Sequence, residues 1–574
     1  MSKLNIEDKT IQELFSDKNA DFLIPDYQRP YAWNEDECRT LWEDLFAFIF
    51  PDNDKDKFND DEYFLGPIVT FKNNRQSEII DGQQRLTTLM LLLRAFYDKF
   101  ENMKDEQSIT TKKNIAQCIW KTDEFDKPDK NRLKIDSEVA TDDDKEEFLS
   151  ILKSGKTNSS QKSRYAKNFQ YFQKKIDKFL NEYPGYFPYM PNRIMKNCIL
   201  LPIEAMSQDT ALRIFSTLND RGLPLSDADI FKAQFYKMFS GKGEKDKFIK
   251  KWRELETICS EFFEAKSGSP MDELFTRYMY YERALMGNKN TTTEALRKFY
   301  EKDNYKLLKN EDVFNNLIEL ANFWNDVENQ NSEKFSKDVL RKLFVLYYAP
   351  NGMWTYFTSV YFMKNKDNDG LLNQEAFNDF LGKSIGFIWA SAIMNPGVNS
   401  LRGPIYNEMI NIVNDNPITF ENYKYKREEL EKVFNDYIFN NQRPITRSML
   451  TWWAFMNPEQ KLLNTEIKFD IEHIFPKNRQ NKLVNLKNLE SLGNKSLLEK
   501  KINIRASDYR FKDKTNYYKG DSNNPKQKKA GTDIEELKKL SNNLDDFVEA
   551  HIEERKEKIT NTFLDYLESY KLFK

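Results

Sequence analysis

The stretch LTTLMLLLRAF, residues 86–96, constrains this chain most. It is apolar nearly all round, yet about half the ~20 residues that a membrane span needs. The spacing therefore predicts a helix over 84–97 inside a folded domain, with no transmembrane segment. The preceding SEII (77–80) reads as a strand, as do YFLGPIVTF (63–71) and CILLPIEAM (198–206). A short strand over 22–25 is broken by Pro25, and DECRTLWEDLFAFIF (36–50) carries apolar residues at helical spacing. A helix over DTALRIFSTLN is closed by the turn DRG, where Gly222 is a natural left-handed stop. Ser226 and Asp229 then form an S-x-x-D capping box for a helix over 227–239.

At 574 residues the chain is too long for one ordinary domain, and 39% apolar with 31% charged residues is a globular composition. The division expected is 1–235 (α/β), 236–440 (a helical bundle, its many aromatics read as core) and 441–574 (a second site-bearing domain). Residues 101–165 are rich in lysine and aspartate and read as helices with solvated loops. The fold class is α+β, predominantly helical. Cys38, Cys118, Cys198 and Cys259 stand far apart with no C-x-x-C pair, which argues against a zinc knuckle or a disulfide framework. The N-terminal MSKLNIEDKT has no apolar signal core, so a soluble, cytoplasmic protein is expected.

Two histidines occur in the whole chain. His551 lies on a charged helix expected over 544–567 and reads as solvated. His473 sits in FDIEHIFPKN, and the downstream LGNKSLLEKKIN places Asn494 after an apolar run and a glycine. Ser496 and Glu499 read as an S-x-x-E box that starts a helix with Leu497, Leu498 and Ile502 buried, Asn503 sharing a face with the helix start. This is the layout a one-metal phosphodiesterase needs. An imidazole near neutral pKa takes a proton from water. A carbonyl oxygen on its other nitrogen, a role suited to Asn494, fixes the tautomer. A hard cation, Mg²⁺ or Mn²⁺, is held by a carboxylate and an amide oxygen; Glu472 or Asp470, with Asn503, could supply them. Residues 471–530 hold 15 Lys and Arg against six Asp and Glu in a chain of net charge −3, which suits a polyanionic substrate.

A second constellation, Asp81-Gly82-Gln83-Gln84-Arg85, lies between a strand and the apolar helix. Gly82 permits a tight turn, helix-start N–H groups favour anions, and Arg85 adds a fork of donors, so the segment reads as a phosphate cradle. No G-x-x-x-x-G-K-[ST] occurs, which excludes a Walker-type NTPase.

With IPDYQRPYAWN, YFLGPIVTF, IIDGQQRLTTL and IFSTLNDRGLPLSDADIFK in order, and DIEHIFP followed by LGNKSLL and Asn503, the chain resembles the GmrSD-type modification-dependent (type IV) restriction enzymes. The resemblance implies a ParB/sulfiredoxin-like N-terminal domain with a nucleotide site at Asp81, Gly82, Gln83, Gln84 and Arg85. Gln28, Arg29, Asn219 and Arg221 would be its neighbours. It also implies a C-terminal HNH (ββα-metal) nuclease domain, with His473 as general base, Asn494 as its orienter, and Glu472 and Asn503 as metal ligands. The Asn494–Asn503 gap of nine residues agrees with that pattern. The function implied is a nucleotide-regulated endonuclease of anti-phage defence cutting modified DNA, with an NTP and Mg²⁺ or Mn²⁺ as cofactors, possible NTP hydrolysis and a homodimer among its expected assemblies. Rival readings are a nucleotide-gated DNA- or RNA-binding regulator with an inactive nuclease domain, and a toxin-like nuclease.

Overall fold

The computed structural model describes residues 8–51, 61–73, 76–139, 142–157, 163–206, 210–211, 214, 226–263, 269–520 and 530–574. Its contacts divide the chain into two compact units, Met1–Glu254 and Leu255–Lys574.

The first unit is built on a six-stranded mixed sheet. Its strands are β1 (Lys9–Thr10), β2 (Phe22–Ile24), β3 (Tyr63–Asn73), β4 (Gln76–Asp81), β7 (Ile135–Ser137) and β8 (Cys198–Ala205), in the order β1-β8-β3-β4-β2-β7. The β3/β4 and β1/β8 pairs are antiparallel; β8/β3, β4/β2 and β2/β7 are parallel. Pro25 ends β2, since it cannot donate to a ladder. The helix Gln83–Lys99 leaves β4 directly and is buried from Gln83 to Phe96 at every residue but Arg85, which is half-buried. A helix apolar on every side has to be enclosed, and this one lies at the centre of the unit's main core, with Trp42, Trp120, Phe169 and Phe187 in the same cluster. The Ser226–Asp229 box forms with both of its hydrogen bonds and starts the helix Asp227–Gly241. The helix and turn expected over 209–222 fall largely outside the described residues.

One stretch differs from expectation. Within 101–165 the chain adds strands: β5 (Trp120–Thr122) pairs with β6 (Pro128–Leu133), and β7 closes an edge of the main sheet. Four consecutive residues of β6 are exposed, so no apolar alternation announced it.

The second unit is helical from 269 to 456 among the described residues, and its aromatics pack as core, for example Phe323 stacked on Phe362 at 4.2 Å. Into this frame is set one antiparallel pair, β9 (Phe469–His473) and β10 (Lys495–Glu499), followed by the helix Lys500–Ala506. Here the capping-box reading is corrected. Residues 495–499 are a strand, with Ser496 opposite Glu472 and Leu498 opposite Asp470, and the helix begins only at Lys500. The cause is burial on both faces: Lys495, Ser496, Leu497 and Leu498 are all enclosed, which a short helix start on a surface could not achieve. Ser496 and Asn503 therefore do not lie on one helix face.

Among the described residues no helix is long and apolar enough to cross a membrane. All four cysteines are buried free thiols.

Candidate active site

His473 closes β9, and the chain returns to the same point at Asn494, just before β10. Asn494 makes this closure. Its backbone carbonyl accepts from Ile474 N–H at 2.9 Å, and its Oδ1 accepts from Phe475 N–H at 2.6 Å. Its Nδ2 donates to the Phe475 and Leu489 carbonyls at 3.1 and 3.0 Å. The amide is fully committed to backbone and does not bond to the imidazole. The role assigned to Asn494 from sequence, a carbonyl on the ring, is thus replaced by another: it fixes the loop that carries His473.

The ring partner is Glu490. Its Oε1 lies 3.2 Å from His473 Nε2, and its Oε2 accepts from Lys495 Nζ at 2.5 Å. Lys495 is fully buried and also donates to Phe439 O at 2.6 Å and Asn441 Oδ1 at 2.7 Å. Burial, then the positive charges of Lys495 and Lys477, hold the imidazole down at about 4 against the opposing pull of Glu490. Burial works to raise the Glu490 carboxyl, but the hydrogen bond and charge of Lys495 outweigh it and leave it below the usual carboxylate range. The ring is therefore neutral at physiological pH. With Nε2–H donated to a carboxylate, the lone pair sits on Nδ1, to which no described residue is hydrogen-bonded.

Glu472 points elsewhere. Neighbouring residues of a strand face opposite sides, and its carboxylate is buried against the helix Phe511–Lys519. There Lys514 Nζ and Tyr518 Oη reach Oε1 at 2.7 and 2.5 Å. Lys514 also donates to His473 O at 2.6 Å, which ties the end of β9 to that helix. Burial raises the Glu472 carboxyl, with Lys514 opposing. The carboxylate beside Asn503 is that of Asp470, with Asn503 Nδ2 3.4 Å from its Oδ2. Asp470 offers a hard oxygen donor, and the Asn503 amide, which here turns its nitrogen to that carboxylate, would add a second on rotating its oxygen inward. A Mg²⁺-type ion commonly needs only one or two protein oxygens besides water and substrate phosphate. Among the described residues no group of three or more His, Cys, Asp and Glu converges to hold a metal. The pair could hold a divalent cation only with water or substrate completing its shell, and no closed structural metal site is formed among the described residues.

Two further supports escaped sequence reasoning. Arg555 donates to the carbonyls of Leu492, Gly493 and Lys495 at 2.7, 3.0 and 2.7 Å and pairs with Glu536. Gly493 lies so close to the helix Glu549–Ser569 that a Cβ there would sit 1.9 Å from Ile552 O. Arg555 carried no local signal. The glycine before Asn494 was visible, but its reason was not. His551, read as solvated, accepts from Val548 N–H at 3.1 Å through Nδ1 at the start of that helix.

In the first unit the D-G-Q-Q-R residues do come together, mostly to bind the protein itself. Gly82 adopts φ +92 at the start of the 83–99 helix, which has no side-chain cap, so the first-turn N–H groups are not taken by a capping side chain. Gln84 Oε1 accepts from Ala32 N–H at 2.7 Å and Trp33 N–H at 3.3 Å, while its Nε2 donates to Pro30 O at 3.2 Å. Gln28 Nε2 lies 3.3 and 3.2 Å from the Ile79 and Ile80 carbonyls. Arg85 donates to Pro67 O at 2.9 Å. Asp81 is raised by burial, against Gly82 N–H and the nearby charges of Arg85 and Arg29. Gln83 makes no side-chain hydrogen bond to any described residue and is 6% exposed. Asn219 and Arg221 lie outside the described residues.

Residues 11–236 match the N-terminal domain of GmrSD restriction endonucleases, and residues 418–562 match the C-terminal domain of the same enzymes. No curated protein gives a significant match. The first match ends within the helix that the Ser226–Asp229 box begins, and the second contains every residue of the His473 site named above. Both domains of one enzyme stand in order and together span well over half of the chain, which belongs to the GmrSD restriction endonuclease family.

Proposed function

We propose that this restriction endonuclease hydrolyses DNA phosphodiesters at His473 in an HNH-type site. The observation that carries the reading is the imidazole: neutral, held through Nε2 by Glu490, and open at Nδ1. Nδ1 takes a proton from a water aligned on the phosphorus, and the new charge on the ring is met by Glu490. Lys495 keeps Glu490 ionised, so the proton stays on Nε2 in the resting state. Asn494 and Lys514 hold the end of β9 so that the ring does not swing. Asp470 and Asn503 would hold Mg²⁺ or Mn²⁺, which when bound stabilises charge on the phosphate and on the leaving 3′ oxygen.

The first unit is proposed to bind a nucleotide at the start of the 83–99 helix, with Gln83, the first-turn N–H groups and Arg85 facing the phosphates, and to couple that binding to cutting of modified phage DNA. A helix start whose N–H groups no side chain caps, beside a half-buried arginine, supports this. A second reading, a regulator with an inactive nuclease domain, draws on Glu472, whose carboxylate is occupied by Lys514 and Tyr518.

The test is cleavage by the purified chain with Mg²⁺ or Mn²⁺, with and without each NTP. Unmodified plasmid is set beside DNA carrying modified cytosines or phosphorothioate linkages, with His473→Ala in parallel. Metal-dependent cutting that is lost in His473→Ala establishes the nuclease. No cutting under any condition, with nucleotide still bound, establishes the regulator.

A further inference from the structure

Between His473 and Asn494 the chain makes an excursion whose outer part has no role in holding the site together. Leu483 and Asn488 are buried at its two ends, at 7% and 4% exposure, and the four residues between them all stand in solvent. Two of those four are apolar: Val484 is 96% exposed and Leu486 64%. Such side chains on a surface are normal singly. This pair, however, is presented on a stiff frame. Glu549 takes the backbone N–H groups of Val484 and Asn485 at 2.7 and 2.8 Å and the Asn488 amide at 2.8 Å. Asn485 Oδ1 in turn accepts from Lys487 N–H at 3.1 Å. A loop tip pinned in this way cannot fold its valine and leucine back onto the protein.

The loop's own charge has one sign, with Lys477, Arg479, Lys482 and Lys487 and no Asp or Glu among residues 477–487, while the Glu549 carboxylate beside it is spent on the tip's backbone. Lys477, Lys482 and Lys487 are exposed, and none is ion-paired among the described residues. Lysine heads outside any ion pair on a pinned loop suit a phosphate backbone, whose binding releases condensed counterions. Apolar side chains flanked by such cations suit insertion into a groove against sugars and base edges. The loop follows four residues after His473, the proposed base, so a duplex whose phosphate is presented to that ring would pass beside it.

We infer that the 477–487 loop is a DNA-gripping element, in which Lys477, Lys482 and Lys487 contact phosphates on duplex DNA and Val484 and Leu486 enter its groove. This rests on the nuclease reading for its substrate but concerns binding alone. It is therefore tested without cutting, by fluorescence anisotropy of the full chain in EDTA with a short unmodified DNA duplex, across a salt series. Replacing Lys482 and Lys487 by Gln should weaken binding and lower the slope of log affinity against log salt by roughly two, at about 0.9 per phosphate contact. Val484→Ser with Leu486→Ser should weaken binding several-fold with the slope and the thermal midpoint unchanged, since neither side chain is packed. Wild-type affinity and slope in both variants overturn the inference, as does a preference for duplex RNA. If the loop variants bind as predicted but the wild type never cuts, the nuclease reading falls and the loop stands. If the wild type cuts and the variants bind and cut like it, the loop falls and the nuclease stands.

Discussion

The two motif regions treat their polar groups in opposite ways. Around His473 almost every polar group is satisfied by another protein group, and one reactive lone pair, on Nδ1, is left over. Around Asp81 the motif residues are mostly consumed: Gln84 ties its helix to the 30–33 loop, the neighbouring Gln28 ties a loop to β4 and Arg85 holds a carbonyl, leaving Gln83 as the side chain without a described partner. A motif in sequence is thus two kinds of object, one that builds a turn and one that exposes chemistry, and only the hydrogen-bond partners tell them apart.

The largest effect that would break this contrast is on cutting. His473→Ala should lower the cleavage rate by about 10²–10⁴-fold, the usual worth of a general base, while leaving DNA affinity within a few-fold. Arg85→Ala should leave basal cutting intact and remove only its response to nucleotide. Rates measured with and without NTP check both, and the reverse pattern would exchange the two regions' roles.

Next is stability. Lys514→Met leaves Glu472 buried without its cation and should destabilise the chain by about 3–5 kcal/mol, as expected when one partner of a buried pair is removed. The urea midpoint reads this, and a shift under 1 kcal/mol would show Glu472 to be solvated and free for a metal. Smaller still, Gln84→Ala should cost about 1–3 kcal/mol by leaving the Ala32 and Trp33 N–H groups without an acceptor. Gln83→Ala should leave stability unchanged and weaken nucleotide binding. Equal stability losses in the two would make the whole motif structural.

The smallest effect is on pH dependence. A base must be unprotonated to act, and the His473 pKa is lowered to about 4, so the ring stays competent as pH falls through 6.5. The rate at saturating metal should hold from pH 8 to 6, and an acid limb centred near 6.5 would contradict the burial of the ring.

Much of the fold was legible because its signals are local. The strands at 22–24, 63–73, 76–81 and 198–205, the 83–99 helix and the Ser226 cap follow from apolar runs, Pro25 and capping chemistry. β6 was not legible, because an exposed strand shows no alternation. KSLLE was misread because a short, fully buried strand and a helix start share the same apolar run. In the site, spacing singled out His473, Asn494 and Asn503, and the structure sets Asn494 on the loop after His473 and Asn503 beside Asp470. Spacing did not single out Glu490, Lys514 and Arg555, since each reaches its partner across the fold; Lys514 and Tyr518, four apart on one helix, both meet Glu472.

The most direct test of the central claim exploits the histidine count of two. Ring-¹⁵N-labelled protein gives one imidazole set from His473 and one from His551, assigned with His551→Gln. At neutral pH the His473 set should show a neutral ring protonated at Nε2, with Nδ1 bare, and Glu490→Ala should erase that preference while Glu490→Asp retains part of it. A ring protonated at Nδ1, or charged at pH 7, would contradict His473 as a base held ready by Glu490.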